Sequence, residues 1–260
     1  MNEGIHVILA PEQIGTFWGL PITNTLLTSW VVIAVLFVIA ILIGSRLKMT
    51  PSKFQTLFEW LVGFIYDYIA ETLESREMAK RFLPLLCTIF LFIFTSNLLE
   101  FTPGIGSLGI FSSGGGPASG GHEFIPLLRS VNTDLNVTLM LAILSFLTIE
   151  ITGIVTIGIV KYAGKFFQNP LKSPIGFLVG IIELFSEIAR IISFSFRLFG
   201  NIFAGEVLIL VVVYFLPYVA PVPVMAFEVF VGFVQAAIFT LLTLFFIKIA
   251  IAEPHGQEAH

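Results

Sequence analysis

A permanently charged side chain, Arg197, lies within a stretch of sequence that is otherwise apolar enough to cross a lipid bilayer. On insertion scales an arginine at the centre of a membrane helix costs about 2.5–3.5 kcal/mol, and such residues usually face a helix bundle or a water-filled path. No acidic residue stands three or four positions from Arg197, so its own helix offers it no ion-pair partner. We therefore expect a site of ion movement, in which the partner of Arg197 comes from another helix or another chain.

Further polar side chains recur around Arg197 at spacings that return to one helix face, since a helical residue turns by about 100°. One predicted stripe consists of Glu183, Glu187, Arg190, Arg197 and Asn201, and a second of Glu228 and Gln235. Glu183 lies toward one side of the membrane, about 21 Å along the helix axis from Arg197 at about 1.5 Å per residue. Because Glu206 and Glu228 lie toward the other side, carboxylates approach Arg197 from both directions.

Several of these groups also have a structural interpretation. Glu187 and Arg190 stand three residues apart and are expected to neutralise one another. Glu183 is equally explained as an interfacial residue that reaches water, and Gln235 as an interhelical hydrogen-bond partner. Structural roles or snorkelling are predicted for the remaining groups, which show no evident stripe: Glu100, Glu150 and Lys248.

Composition indicates the class of protein that holds these side chains. Of 260 residues, 57% are hydrophobic, 12% are charged and 28 are phenylalanine, and the mean hydropathy is +0.98. Such a chain has lipid as its solvent, so we predict an all-α membrane protein. Apolar segments are spread from end to end, which predicts one polytopic membrane domain over residues 1–260 and no separate catalytic domain. The single cysteine, Cys87, excludes an intramolecular disulfide.

Five apolar segments are long enough to cross a bilayer as helices. They are Leu26–Ile43, Phe82–Phe101, Leu135–Val160, Pro174–Leu216 and Val222–Ile251. The last two exceed the roughly 20 residues that a perpendicular helix needs, so they must tilt, bend or run past the bilayer surface. Together they predict a helical hairpin over residues 174–251. An ideal hairpin that turns near Pro217–Val222 places Gln235 opposite about residue 204, about seven residues from Arg197.

Residues 50–72 predict a different kind of helix, which begins near Pro51 and carries one apolar stripe. The stripe consists of Phe54, Leu57, Phe58, Leu61, Val62, Ile65 and Ile69. This pattern favours an amphipathic helix that lies in the membrane interface. A connector packed on the helix bundle explains the pattern equally well.

Residues 102–133 are rich in Gly, Ser and Pro and predict a flexible loop. The loop includes a G-x-G-x-x-G from Gly104 to Gly109, which we discount as a dinucleotide site because no βαβ unit surrounds it. The sequence also has no Walker loop, no His-Glu-x-x-His and no cluster of Cys and His pairs. We therefore predict that the chain alone is neither a nucleotide hydrolase nor a metalloenzyme, and we expect no cofactor, no bound metal and no nucleic-acid partner.

The positive charges predict the orientation of the chain, since short cytoplasmic loops collect Lys and Arg. Residues 44–81 and 161–173 hold nine basic side chains, whereas the opposite loops hold Arg129 alone. We therefore expect an outer amino-terminal segment (1–25), an outer loop (102–133) and a cytoplasmic tail (252–260).

Two motifs carry a resemblance to a known family. The runs Phe196–Glu206 (FRLFGNIFAGE) and Phe233–Leu242 (FVQAAIFTLL) are similar to those of subunit a of the F-type ATP synthase. Supporting similarities are Pro84, the run Ser96–Leu99, Pro103 and the run Thr133–Thr138. The resemblance covers most of the chain, except for the amino-terminal segment, the Gly-rich loop and the acidic tail.

This resemblance implies a non-catalytic, proton-translocating stator subunit of a bacterial inner membrane. The implied partners are the c-subunit ring, the peripheral-stalk b subunits and the remainder of the complex. Arg197 then matches the stator arginine, which attracts the carboxylate of each passing c subunit and prevents a direct leak between two half-channels. The other implied positions are Glu206, Glu228, Asn201 and Gln235 in the channel near that arginine, and Glu183 toward the cytoplasmic exit. Relatives carry another titratable residue, such as His, at the position of Glu228.

Two alternatives stay open at this stage. The coupling ion implied by the resemblance is H+, and Na+ is not excluded. A function of another class, a self-contained secondary cation/proton antiporter, would use the same Arg and Glu side chains. No internal repeat and no matching pair of broken helices supports the antiporter in this sequence.

Overall fold

The computed structural model describes residues 11–17, 19–45, 53–102, 109–112, 123–166 and 174–252. Within these residues the chain forms seven helices and two β-hairpins. The helices are α1 (Asn24–Ser45), α2 (Lys53–Leu73), α3 (Arg76–Glu100), α4 (Leu135–Ile157), α5 (Ile159–Phe166), α6 (Pro174–Phe215) and α7 (Pro221–Ile251). The strands are β1 (Gln13–Phe17), β2 (Leu20–Thr23), β3 (Gly109–Ser112) and β4 (Glu123–Pro126).

The prediction of an all-α membrane protein with five spans is confirmed. Helices α1, α3, α4, α6 and α7 are each long and apolar enough to cross a membrane. Helix α6 has 42 residues and α7 has 31, which corresponds to roughly 63 Å and 46 Å at 1.5 Å per residue. Both exceed the roughly 30 Å of a hydrocarbon core, which agrees with the prediction that these two helices tilt, bend or run past the bilayer surface.

The third span ends earlier than predicted. Helix α4 stops at Ile157, and Gly158 follows with φ 91°, a left-handed conformation that favours glycine. The chain then turns into the short helix α5, which includes Val160. The predicted end at Val160 is wrong because hydropathy continues unbroken across Gly158 and does not register a change of chain direction.

The two predicted outer segments contain more structure than expected. Strands β1 and β2 pair antiparallel, and so do β3 and β4, so a wholly flexible loop over 102–133 is wrong for the residues that the strands occupy. The Gly-rich run between β3 and β4 lies outside the described residues. Polar contacts help to hold the end of this segment, since Asp134 accepts hydrogen bonds from the Asn136 backbone N–H (2.9 Å) and the Thr25 hydroxyl (2.6 Å).

The predicted amphipathic helix is present as α2, and residues 50–52 lie outside the described part. Ile69 and Leu73 are buried in a cluster with α3, α4 and α7, whereas Leu57, Trp60 and Phe64 are exposed. The apolar side chains therefore face two ways, so α2 is packed on the bundle and also presents an apolar ridge outward. Its position in the membrane interface stays a prediction.

Helices α3, α4, α6 and α7 form the packed centre of the fold. The buried cluster that includes α6 consists of Ile89, Phe90, Ile93, Ala142, Phe194, Leu198, Ile202, Ala236 and Phe239. Many large apolar side chains elsewhere on the spans are exposed, Phe37 and Phe185 among them, which is the surface that a lipid-solvated protein presents. The two long helices that carry the predicted site thus share one core with α3 and α4.

Candidate ion-translocation site

Arg197 lies on a partly exposed face of α6. Its guanidinium donates a hydrogen bond from Nη2 to the Ser193 hydroxyl, 3.2 Å away and one turn earlier, and stands 5.8 Å from the centre of the Phe194 ring. Among the described residues no ion pair joins Arg197 to a carboxylate. Ser193, Phe196 and Asn201 are exposed beside it, so the cation is accessible from outside this chain.

Asn201 and Gln235 connect the two long helices next to Arg197. The Asn201 amide donates from Nδ2 to Gln235 Oε1 at 2.8 Å. An ideal hairpin had placed Gln235 opposite about residue 204, so the actual register brings Gln235 nearly one turn closer to Arg197. Gln235 is 3% exposed, and its Nε2 has no hydrogen-bond partner in the described part of the chain. The bond to Asn201 confirms the interhelical interpretation of Gln235.

Gly205 and Glu228 show how closely the two helices approach. A Cβ placed on Gly205 would overlap the carboxylate of Glu228, which is itself only 7% exposed. The absence of a side chain at Gly205 is therefore what lets Glu228 point between α6 and α7. Close approach at a membrane-helix glycine agrees with the use of small residues at such interfaces.

Glu206 faces the segment that precedes α4. Its Oε2 lies 3.8 Å from Nη2 of Arg129, the side chain of which is only 10% exposed. The next residue, Ser130, donates a hydrogen bond of 2.8 Å to Glu100 Oε2. Glu100 is also within electrostatic reach of Glu206 and Glu228, so three carboxylates and one arginine gather at this end of the bundle.

The structural role or snorkelling predicted for Glu100 stays a prediction, and the structure adds that two further carboxylates, Glu206 and Glu228, lie within its electrostatic reach. Its neighbour Asn97, one turn earlier in α3, donates to the Gly232 carbonyl of α7 at 3.0 Å and accepts from Asn132 at 2.6 Å. Asn97 and Glu100 stand three residues apart, a helical spacing that could have marked a polar face of α3. The single basic residue among the outer loops, Arg129, was the other available signal.

Glu187 and Arg190 form the ion pair that their spacing predicted. Arg190 contacts both carboxylate oxygens, at 2.6 Å and 3.1 Å, and its guanidinium carbon lies 3.9 Å from the centre of the Phe246 ring of α7. Glu187 is 5% exposed, so this charge is compensated within the chain. Glu183 lies one turn earlier in α6 and is half-buried.

The geometry thus divides the predicted polar residues into three groups along α6. Glu100, Glu206 and Glu228 lie at one end, and Glu183 and Glu187 toward the other. Arg197 stands between them with Asn201 and Gln235 beside it. In the described ranges no three His, Cys, Asp or Glu side chains are arranged to hold a metal ion.

Five apolar spans that hold an arginine with no ion-pair partner among the described residues, between two groups of carboxylates, indicate a polytopic membrane protein of the ion-translocating class. The family model described as "ATP synthase A chain" matches residues 26–248. The chain belongs to this family.

Individual relatives agree with the family model. "ATP synthase subunit a" of Geotalea daltonii is 34% identical over 229 residues, which cover 87% of each chain. The protein of the same name from Moorella thermoacetica is 29% identical over 91% of this chain and 94% of its own. "ATP synthase subunit a, sodium ion specific" of Propionigenium modestum is 31% identical over 99% of this chain and 84% of its own.

Membership of this family defines the general role of the chain. It is a multi-pass subunit of the membrane sector of ATP synthase and has the stator role, and it takes part in ion translocation rather than catalysing the chemical reaction of the complex. Family membership also favours this role over the independent antiporter considered from the sequence.

Proposed function

We propose that the chain forms two proton half-channels beside the c-subunit ring and couples proton flow to rotation of that ring. The observation that carries this proposal is the state of Arg197, which is accessible at the surface of α6 and has no carboxylate partner among the described residues. The acidic partner is then the ring carboxylate, which meets Arg197 on the exposed face of α6. Peripheral-stalk b subunits complete the proposed stator.

Arg197 acts in this proposal as a fixed charge and not as a proton carrier. An arginine stays protonated at any accessible pH, so it cannot pass protons between the half-channels. A ring carboxylate that faces Arg197 is stabilised in its ionised form, whereas a carboxylate that turns into lipid must bind a proton to avoid a large desolvation cost. Rotation is thereby coupled to protonation.

The two groups of carboxylates supply the two paths in this proposal. Glu100, Glu206 and Glu228 carry protons from the outside to the ring, with Asn201 and Gln235 at the inner end of this path. Glu183, assisted by Glu187, releases protons toward the cytoplasm. Each charge that crosses a potential of 100 mV contributes about 2.3 kcal/mol, so several transfers must accumulate for each ATP, which a ring provides.

The proposed orientation in a bacterial inner membrane has an outer amino terminus and a cytoplasmic carboxyl terminus. It places Arg129 and the β-hairpins outside and the loop after α5 inside. The proposed ion is H+. The relative from Propionigenium modestum carries the description "sodium ion specific", so the ion is tested by comparing Na+-free and Na+-containing media.

The deciding experiment is ATP-driven acidification of inverted membrane vesicles that hold the complex with wild-type chain or with Arg197→Ala. We expect Arg197→Ala to abolish acidification while the complex still assembles. Ser193→Ala is the matched control, because it removes the hydrogen bond to Arg197 and keeps the charge, and it should retain most of the activity. Normal acidification in Arg197→Ala would refute the proposal, and ion exchange by the purified chain alone in liposomes would favour an antiporter.

A further inference from the structure

The break at Gly158 folds α5 back so that Tyr162 reaches α4. The Tyr162 hydroxyl donates a hydrogen bond of 2.8 Å to Glu150 Oε2. The tyrosine ring rests on Gly153, where a Cβ would lie 2.5 Å from the ring and 3.2 Å from the Ala250 carbonyl oxygen of α7. Tyr162 is 6% exposed, so the contact is an internal one.

Only one oxygen of the Glu150 carboxylate is held by this contact. The other, Oε1, is buried and has no hydrogen-bond partner among the described residues. A buried polar atom without a hydrogen-bond partner is costly, so this oxygen marks Glu150 as a candidate for a functional role.

The ion pair of Glu187 and Arg190 lies within electrostatic reach of this contact. Burial, the hydrogen bond to Glu150 and the negative charges of Glu150 and Glu187 raise the pKa of Tyr162, and Arg190 opposes them. The Tyr162 hydroxyl therefore stays protonated and acts as a donor. The charged side chains that act on Tyr162 are two carboxylates, Glu150 and Glu187, and one cation, Arg190. Arg190 is paired with Glu187.

We propose that Glu150 is a further proton-exchanging carboxylate on the cytoplasmic path of this chain, and that Tyr162 is the residue that positions it. The inference rests on the proposed function and adds α4 and α5 to a path otherwise assigned to α6. Glu150 stands seven residues before the end of α4, roughly 10 Å along the helix axis. It thus offers protons a place between the end of α4 and the carboxylates of α6.

The test uses the whole complex in inverted vesicles and compares Glu150→Gln with Glu150→Asp. Glutamine keeps an oxygen that accepts from Tyr162 but cannot exchange a proton, so it separates a chemical role from a structural one. We expect Glu150→Gln to slow proton pumping by about tenfold. This is less than the roughly 100-fold or larger effect that loss of a single positioned acid–base group has on a reaction, because Glu183 and Glu187 carry part of the proton flow. Glu150→Asp should restore most of the rate.

Tyr162→Phe tests the positioning role, because it removes the hydroxyl and keeps the ring. We expect a slower rate in Tyr162→Phe and no further loss when it is combined with Glu150→Gln, because the tyrosine acts through the carboxylate. Equal and independent losses in the double variant would overturn the role of Tyr162. Wild-type pumping in Glu150→Gln, with pumping still abolished in Arg197→Ala, would overturn the role of Glu150 and leave the proposed function intact.

Access from the cytoplasm is a second and independent measurement. Cys87 is the only cysteine, so Cys87→Ser provides a background for single-cysteine variants. We expect a membrane-impermeant thiol reagent to label Glu150→Cys in inverted vesicles. Val155→Cys is the control and should stay unlabelled. Val155 is nearer the end of α4, but its side chain is 62% exposed on the face that we assign to lipid. Absence of labelling at position 150 would contradict a place for Glu150 on an aqueous path.

Discussion

A methyl group added at Gly205 should slow proton translocation because it displaces the Glu228 carboxylate, and not because it destabilises the fold. The Cβ of Gly205→Ala would overlap both oxygens and the carboxyl carbon of Glu228, with the more distant oxygen at 2.7 Å. Overpacking of this kind costs about 1–3 kcal/mol. The overlap involves the far end of a flexible side chain, so the Glu228 carboxylate can move away. The free-energy cost of overpacking then lowers the population of the native carboxylate position and does not unfold the chain.

The expected size of the effect follows from this displacement. At about 1.4 kcal/mol per factor of ten, the native position of the Glu228 carboxylate would be populated roughly 5- to 150-fold less. The helix itself gains up to about 1 kcal/mol from replacing glycine by alanine, so assembly of the complex should be retained. We therefore expect ATP-driven acidification to fall by about tenfold or more in complexes that assemble normally.

Two matched variants make this prediction decisive. Gly200→Ala introduces the same methyl group five residues earlier in α6, where a Cβ meets nothing within 4 Å, and it should leave the stability of the chain unchanged or slightly improved. Glu228→Asp shortens the side chain, so the double variant Gly205→Ala/Glu228→Asp should pump faster than Gly205→Ala alone. Wild-type pumping in Gly205→Ala, or no gain from Glu228→Asp, would refute the reasoning.

Variants at three further places in the fold test other charged groups. Arg190→Ala leaves Glu187 buried without its cation, which should cost about 3–5 kcal/mol and lower the amount of assembled complex on native gels. Replacing both members of the pair by apolar residues should restore part of that loss. Asp134→Ala removes the N-cap of α4 and should lower stability by about 0.5–2 kcal/mol, measured as the thermal midpoint of the purified complex. Glu206→Gln should slow pumping while Glu206→Asp retains more of it, and equal rates would show that the charge of Glu206 is not used.

The spans could be predicted from sequence because hydropathy is a property of local composition. Helix α6 begins at Pro174 in both the prediction and the structure, and the ion pair of Glu187 and Arg190 followed from spacing within one helix. The end of α4 could not be predicted in the same way. It depends on the backbone conformation of Gly158, which the apolar residues on either side do not signal.

Contacts between helices were predictable only in part, since they depend on register. The ideal hairpin misplaced Gln235 by nearly one turn because the register of α6 and α7 is determined at points of close approach, such as Gly205 against Glu228. The surroundings of Glu100 could not be predicted for a related reason. Its hydrogen-bond partner Ser130, and Arg129, which pairs with Glu206, come from a segment that composition describes only as a loop.

Arg197 has no carboxylate partner among the described residues, and this can be tested by supplying one. Ser193 already accepts a hydrogen bond from the guanidinium at 3.2 Å, so Ser193→Glu would place a carboxylate one turn before the arginine. A Glu placed four residues before a cation is the favourable orientation for an ion pair within a helix. We expect the new carboxylate to compete with the proposed ring carboxylate for Arg197.

Pumping should then fall sharply in Ser193→Glu, although Arg197 is still present and the complex assembles. Ser193→Gln is the matched control, because it adds nearly the same volume to the exposed face of α6 without a charge. A large difference between the Glu and Gln variants in ATP-driven acidification would mean that Arg197 must stay unpaired within its own chain. Equal rates in the two variants would mean that a salt bridge between residue 193 and Arg197 has no effect on pumping. The proposed interaction of the ring carboxylate with an uncompensated Arg197 would then be refuted.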